Sequence, residues 1–341
     1  MNLLLIGNYF TEGTNNLNVW QELALKLREA GNSVLTSSSR RGKIPRLLDM
    51  LTNIITKADE YQIAGIDVFS GNAFTFAYLC AKLLQAMKKP FFLTLHGGNL
   101  PDFAQRHPRA VRSLLQNAAA VVAPSGYLQQ AMKPYHAEVL LIPNALDLSR
   151  YAYRQRETPA PRLIWLRAFH QIYNPQLAIA ALAQLHLEFP EINLMMVGPD
   201  KGDGSLQNAK MFCREMGLEN AVSFSGAVKK AAVPAALNDG DIFLNTTYID
   251  NTPISVMEAM ACGLCIVSTN VGGIPWLVRN EQEALLVPAD DPAAMAAAVR
   301  RLLREPGLAG RLSANARMKA ETLDWSEVLQ QWNDLFSQLI R

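Results

Sequence analysis

The feature that most constrains this chain is a rhythm that starts twice. Short β-prone runs near 2–7, 33–37, 66–70, 91–95, 119–123 and 138–142 alternate with helical patterns, notably 16–30, 46–58, 72–88 and 107–117. Leu17, Trp20, Leu23, Ala24 and Leu27 recur at helical spacing as a core stripe. A turn-rich stretch follows, I-P-N-A-L-D at 142–147 and Y-R-Q-R-E-T-P-A-P at 153–161, where Pro159 and Pro161 mark a linker. The rhythm then restarts. Strands fall near 162–166, 192–197, 221–225, 241–245, 264–268 and 284–287. Helices fall near 175–188, 205–216, 229–238, 253–262, 274–279, 291–304 and 307–321. Strand–helix alternation specifies parallel sheets with crossover helices. The expected class is therefore α/β, with two doubly wound domains at 1–150 and 151–321 and a helix over 322–341. That last helix carries Val328, Trp332, Leu335 and Leu339 on one face. Such sheets bind ligands outside the C-terminal ends of their strands, so two facing halves would enclose a cleft.

Composition narrows the function classes. At 341 residues, 50% hydrophobic and 18% charged, the chain reads as globular. It holds no apolar run near the roughly 18 residues of a membrane span. The start, M-N-L-L-L-I-G-N, reads as a first strand and not as a signal peptide. Four cysteines in this length are not a disulfide framework and point to a reducing cytoplasm. Cys262-x-x-Cys265 has no second pair to complete a zinc site and reads as structural. Residues 1–150 carry a net +5 and the remainder −3. The local excess is Arg40, Arg41, Lys43 and Arg46, ahead of the apolar run from Leu47 to Ile55. It fits either a solvated loop or, through 40–55, peripheral contact with the anionic inner face of a membrane. Nothing resembles a basic aromatic platform, so nucleic acid is not an expected partner.

The densest chemistry lies in T-Y-I-D-N-T-P-I-S-V-M-E-A-M-A-C-G-L-C-I-V-S-T-N-V-G-G-I-P at 247–275. Thr252 is the expected N-cap and Pro253 the first helical position; Gly263 is the left-handed residue that ends the helix. Cys265 to Ser268 forms a short strand, and Gly272-Gly273 opens the next turn. The free N–H groups of Ile254 and Ser255 suit a phosphate. Asp250 and Glu258, eight positions apart, flank that point and would repel it, so they are expected to bind hydroxyls. Diphosphate in the middle with hydroxyls at each end describes a nucleotide sugar.

Other strand ends add to this. G-N-Y-F-T-E-G-T-N-N at 7–16 offers Gly7, Gly13 and Thr14 for close backbone approach, or is a plain turn. It is not G-x-G-x-x-G and lacks an acid at the ribose distance, which argues against a nicotinamide cofactor. H-G-G-N puts His96 at a strand end, and P-S-G-Y-L gives Ser125 as a helix cap. Arg167 ends another strand, where a guanidinium can clamp a diphosphate or make a surface salt bridge. V-G-P-D at 197–200, with Gly198, and F-S-G-A-V at 224–228 are loops that can cup a nucleobase.

In this order, these motifs resemble a retaining glycosyltransferase of family 4 with the GT-B fold of two Rossmann-like domains. The resemblance covers nearly the whole chain, and E-A-M-A-C-G with V-G-G-I-P is its most specific part. It implies a nucleotide-sugar donor, no cofactor or essential metal, and a C-terminal helix packed on the first domain; a UDP- or GDP-sugar is the expected donor, and the expected acceptor is a saccharide or, from the basic amphipathic segment at 40–55, a lipid-linked one. It implies that Glu258 binds the ribose, Asp250 the transferred sugar and Arg167 the diphosphate. His96 would lie beside the donor sugar, and Gly13 with Thr14 would match the N-terminal glycine loop. Pro253, Ile254, Ser255 and Gly198 complete the expected donor-binding set. There are two departures. Asp250 stands where the family has Glu. Tyr173-Asn174-Pro175 stands where the family has a phosphate-binding Lys-Gly, with His170 as a partial substitute. They keep open a non-catalytic sugar-nucleotide-binding or partner protein; a sugar-nucleotide epimerase is a further alternative on the same architecture.

Overall fold

The structure, a computed structural model, describes residues 1–9 and 17–339. Gly13 and Thr14 lie outside the described residues. The chain forms two compact units, Met1–Ala145 with Trp325–Arg341, and Leu146–Asp324.

The first unit runs β1 (Asn2–Ile6), α1 (Val19–Glu29), β2 (Ser33–Ser37), α2 (Lys43–Thr56), β3 (Ile63–Val68), α3 (Asn72–Ala86) and β4 (Phe91–Leu95). It continues with α4 (Leu100–Arg106), α5 (Pro108–Leu115), β5 (Ala120–Ala123), α6 (Gly126–Met132) and β6 (Val139–Leu141). All strands are parallel, in the order β2-β1-β3-β4-β5-β6. Parallel strands covered on both faces need unbroken apolar runs. Leu3, Leu4 and Leu5 are buried, as is every residue of β4. Asn18 and Gln21 start α1 with a reciprocal capping box at 2.8 and 2.9 Å. Leu17 precedes that cap and is exposed, so the core stripe begins at Trp20.

Two expected elements shift for physical reasons. β3 begins at Ile63, not 66, because it pairs with β1 from Leu3↔Ile63 onward. The helix expected over 107–117 is α5, and a further helix, α4, precedes it. Pro108 forces the preceding His107 out of the helical region, to φ −127° and ψ 50°.

The second unit runs β7 (Arg162–Leu166), α7 (Pro175–His186), β8 (Asn193–Val197), α8 (Ser205–Glu215), β9 (Val222–Gly226), α9 (Val233–Asp239) and β10 (Ile242–Asn245). Then come α10 (Ile254–Cys262), β11 (Cys265–Thr269), α11 (Ile274–Leu277), β12 (Leu285–Val287), α12 (Pro292–Arg304) and α13 (Leu308–Glu321). Its strands are parallel in the order β12-β11-β10-β7-β8-β9. Both sheets are doubly wound and Rossmann-like. Strand order reverses between β1 and β3 in one and between β7 and β10 in the other. Ligands bind outside the carboxyl ends of strands at such reversals.

The last helix, α14 (Trp325–Leu339), belongs to the first unit. Trp332 and Phe336 pack on Phe92 of β4, with ring centroids 5.8 and 5.4 Å away. Trp20, Leu23 and Leu27 of α1 complete that cluster. The second unit begins earlier and ends later than the expected 151–321. The Leu146 N–H donates to Leu323 O at 2.9 Å and the Leu148 N–H to Asp324 Oδ2 at 3.0 Å, which joins its two ends. Nor is 153–161 a free linker. Arg156 is buried and donates to Asn238 Oδ1 and Gly240 O, both at 3.0 Å. Buried Asp241 gathers Arg156, Arg154 and Arg162, plus the Ala160 N–H at 3.0 Å.

Candidate functional site

Helix α10 begins one residue later than its expected Thr252 cap. Pro253 keeps an extended ψ of 115°, and its carbonyl accepts the Val256 and Met257 N–H groups at 3.1 and 3.3 Å. Proline has no side-chain acceptor, so no side chain caps the first turn and the Ile254 and Ser255 amides stay uncapped in that sense. The Ser255 hydroxyl is buried without a hydrogen-bond partner. Gly263 ends the helix as expected, at φ +76°. The Gly272-Gly273 turn holds the Asp250 loop. A Cβ on Gly272 would run into the Asp250 carbonyl and one on Gly273 into the Asn251 carbonyl, while the Gly273 N–H donates to Asp250 O at 2.8 Å.

Arg167 follows β7 at the strand reversal. Its backbone N–H donates to Val197 O at 3.0 Å, and Gly198 is packed so tightly that a Cβ there would overlap the Arg167 carbonyl. The guanidinium lies over the Tyr173 ring at 4.6 Å and forms an ion pair with Asp250. That close approach lacks hydrogen-bond alignment, so the buried Nε and Nη2 have no hydrogen-bond partner. Burial lowers the Arg167 pKa, while Tyr173 and Glu258 act in the opposite direction. Buried Glu258 accepts a hydrogen bond from the Tyr151 hydroxyl at 2.8 Å, and Lys230 Nζ lies 2.9 Å from the same Oε1. The structure therefore gathers Arg167, Asp250, Glu258 and the α10 N-terminus at one strand reversal. It adds Tyr151, Tyr173 and Lys230, which carried no motif. His170 is turned toward Asp203, 3.7 Å from Nε2, and its Nδ1 accepts the Ile172 N–H at 3.2 Å.

His96 lies in the first unit, at the end of β4. Its Nε2 lies 2.8 Å from Asp67 Oδ1 without hydrogen-bond alignment, and its ring stacks on Phe69 at 5.1 Å. Asp67 was not singled out, although it is the lone charged residue of β3, I-A-G-I-D-V. A cavity of about 230 Å³ opens at the β1/β3 reversal, bounded by Asn8, Lys43, Arg46, Asp67, Phe69 and Asn72 among others. Among the described residues no group of three His, Cys, Asp or Glu is placed to hold a metal. No described helix is long and apolar enough to cross a membrane.

The family model described as "Glycosyl transferases group 1" matches residues 155–319, and "Glycosyltransferase Family 4" matches residues 20–150. The chain belongs to the GT4-like glycosyltransferases. Sucrose-phosphate synthase from Thermosynechococcus elongatus superposes on this chain with a TM-score of 0.80 over 99% of both chains, at 18% identity. HepE from Anabaena, in complex with UDP, gives 0.79 over 99% of this chain and all of that one, at 17% identity. These likenesses establish the GT-B fold. The D-inositol 3-phosphate glycosyltransferase of Rhodococcus jostii (strain RHA1) is 24% identical over 261 residues, 72% of this chain and 57% of its own. The chain spans 38 to 66% of the length of the first curated relatives it matches.

Proposed function

We propose that this GT4-like protein transfers a sugar, with retention of configuration, from a nucleotide-diphosphate sugar to an acceptor hydroxyl. One observation carries the reading. The Arg167 Nε and the Ser255 hydroxyl, both buried without a hydrogen-bond partner, accompany the uncapped α10 N-terminus at the reversal of the second sheet. Buried donors without partners are rare, and a helix N-terminus favours anions. A diphosphate would satisfy all of them.

When the bond from anomeric carbon to phosphate oxygen breaks, positive charge develops on the sugar and negative charge on the departing diphosphate. Arg167 and the amides of Ile254 and Ser255 would stabilise that departing charge. Glu258 would bind the ribose and Asp250 the transferred sugar, and Gly198 would serve the donor site by letting the Arg167 backbone pack against it. Asp250 is held by Arg167, and Glu258 by Tyr151 and Lys230, which disfavours either carboxylate as a nucleophile. Retention then requires the acceptor to attack on the face the phosphate leaves, giving its proton to a phosphate oxygen. In the first unit, the cavity at the β1/β3 reversal, lined by Asp67 beside His96, would hold the acceptor. The α2 surface exposes Ile44, Leu48 and Ile55 beside Arg40 and Arg41, which supports a membrane-borne or lipid-linked acceptor.

HepE has also been solved with UDP-glucose, which supports uridine nucleotides as the first donors to test. The test of the donor site is a thermal-shift panel of UDP, GDP, ADP and their sugars. A ligand that binds only the native state stabilises it by about 2.7 kcal/mol at a hundredfold excess over Kd. A rise in Tm with one nucleotide series is expected; no rise with any would overturn the donor site. Binding without turnover would instead favour the non-catalytic reading, which Asp250 in place of Glu motivates.

A further inference from the structure

The donor site contains a cation that no motif announced. Lys230 opens a short 3-10 turn, Lys230–Ala232, after β9, and reaches across to Glu258 Oε1 at 2.9 Å. We propose that Lys230 is the second cation facing the donor diphosphate, held there by Glu258. This rests on reading the site as a nucleotide-sugar site.

Charge makes the case. Among the described residues, two pairs of opposite formal charge stand here, Arg167 with Asp250 and Lys230 with Glu258, and their formal charges cancel. Without Lys230 the same cluster would be net negative before a diphosphate enters. Of the other nearby side chains, Tyr173 lies against Arg167 and His170 is turned to Asp203 rather than to this cluster.

Geometry agrees. Glu258 stands three residues after Ser255 on α10, so the two share a face about 5–6 Å apart. A lysine anchored on Glu258 is therefore within reach of a phosphate seated on the Ile254 and Ser255 amides. An ammonium carries three donors on a flexible stem, so a lysine held by Glu258 can also turn a donor toward phosphate oxygens. The Tyr151 hydroxyl, on the same Oε1 at 2.8 Å, holds the carboxylate that positions the lysine.

The competing reading is that Lys230 only neutralises Glu258, and a pair of probes separates the two. Lys230→Met is compared with the unsubstituted protein for binding of uridine, UMP and UDP by titration calorimetry, or of the guanosine series if the panel selects guanine. The proposal expects UDP affinity to fall about tenfold to a hundredfold, the range of a charge-assisted hydrogen bond, with uridine affinity unchanged. Lys230→Arg should recover most of the UDP affinity. Equal losses for uridine and UDP, or undiminished UDP binding, would overturn it. Lys230→Gln gives the same reading should the Met variant fail to melt cooperatively. If the unsubstituted protein binds no nucleotide, the donor site itself fails, a result distinct from any behaviour of the variants.

Discussion

At Gly272 and Gly273 the backbone passes so close to Asp250 and Asn251 that neither position has room for a Cβ. Gly273 has an ordinary φ of −86°, so its constraint is purely steric. Gly273→Ala should therefore displace the Asp250 loop, costing about 1–3 kcal/mol as overpacking and weakening nucleotide binding together. Urea unfolding and nucleotide titration of the same variant check both. Arg167, Glu258, Asp250 and His96 stood out in the sequence as candidates through their motifs, and the structure brings the first three near one another. Tyr151, Tyr173 and Lys230 did not stand out. The partnership of Tyr151 with Glu258 spans 107 positions, and Lys230 enters from the loop of another strand. Linear spacing encodes neither. Asp67 had a readable signal, a charge in an apolar strand, but its partner His96 is known only once β3 and β4 pair.

Among the elements, the entry to β7 is fastened by Asp241. Burial alone would raise its carboxyl pKa, but the hydrogen bond from Arg162, the charges of Arg154 and Arg162, and the Ala160 N–H together hold it below the ordinary value. Asp241→Ala would leave buried Arg156 without its anion and should cost about 3–5 kcal/mol in chemical denaturation. The sign of the pH dependence follows from the depressed value. The stabilisation is complete above the unfolded carboxyl pKa of about 3.9 and is lost as pH falls through the lower folded one. Asp241→Asn, although less stable at neutral pH, should show a shallower loss of stability below about pH 4. Thiol chemistry gives a second check on this layer. Burial pushes Cys262 and Cys265 up to about 12, so both should resist thiol reagents at pH 8 until the protein unfolds. The four cysteines, read from the sequence as structural, are all buried and unpaired. Residues 153–161 were misread as a linker because proline and charge mark loops without showing that Arg156 is buried.

For the whole molecule, the twice-started rhythm was enough to give two doubly wound sheets, because strands joined by helices have few other solutions. Strand order was not legible, since it depends on which way each crossover runs. The return of α14 to the first unit came from family resemblance, and its physical basis is the aromatic cluster of Trp332, Phe336 and Phe92. Trp332→Ala should cost about 3–5 kcal/mol, read as a lowered Tm. The central claim is that the site built on α10 and Arg167 breaks the bond between sugar and nucleoside diphosphate. Its most direct test is nucleoside diphosphate release from a panel of UDP-, GDP- and ADP-sugars, by the unsubstituted protein and by Arg167→Ala, with water as the default acceptor. Release from one donor series, slowed about a hundredfold to a thousandfold in the variant, is the predicted result. No release from any donor, or equal rates in the two proteins, would contradict it.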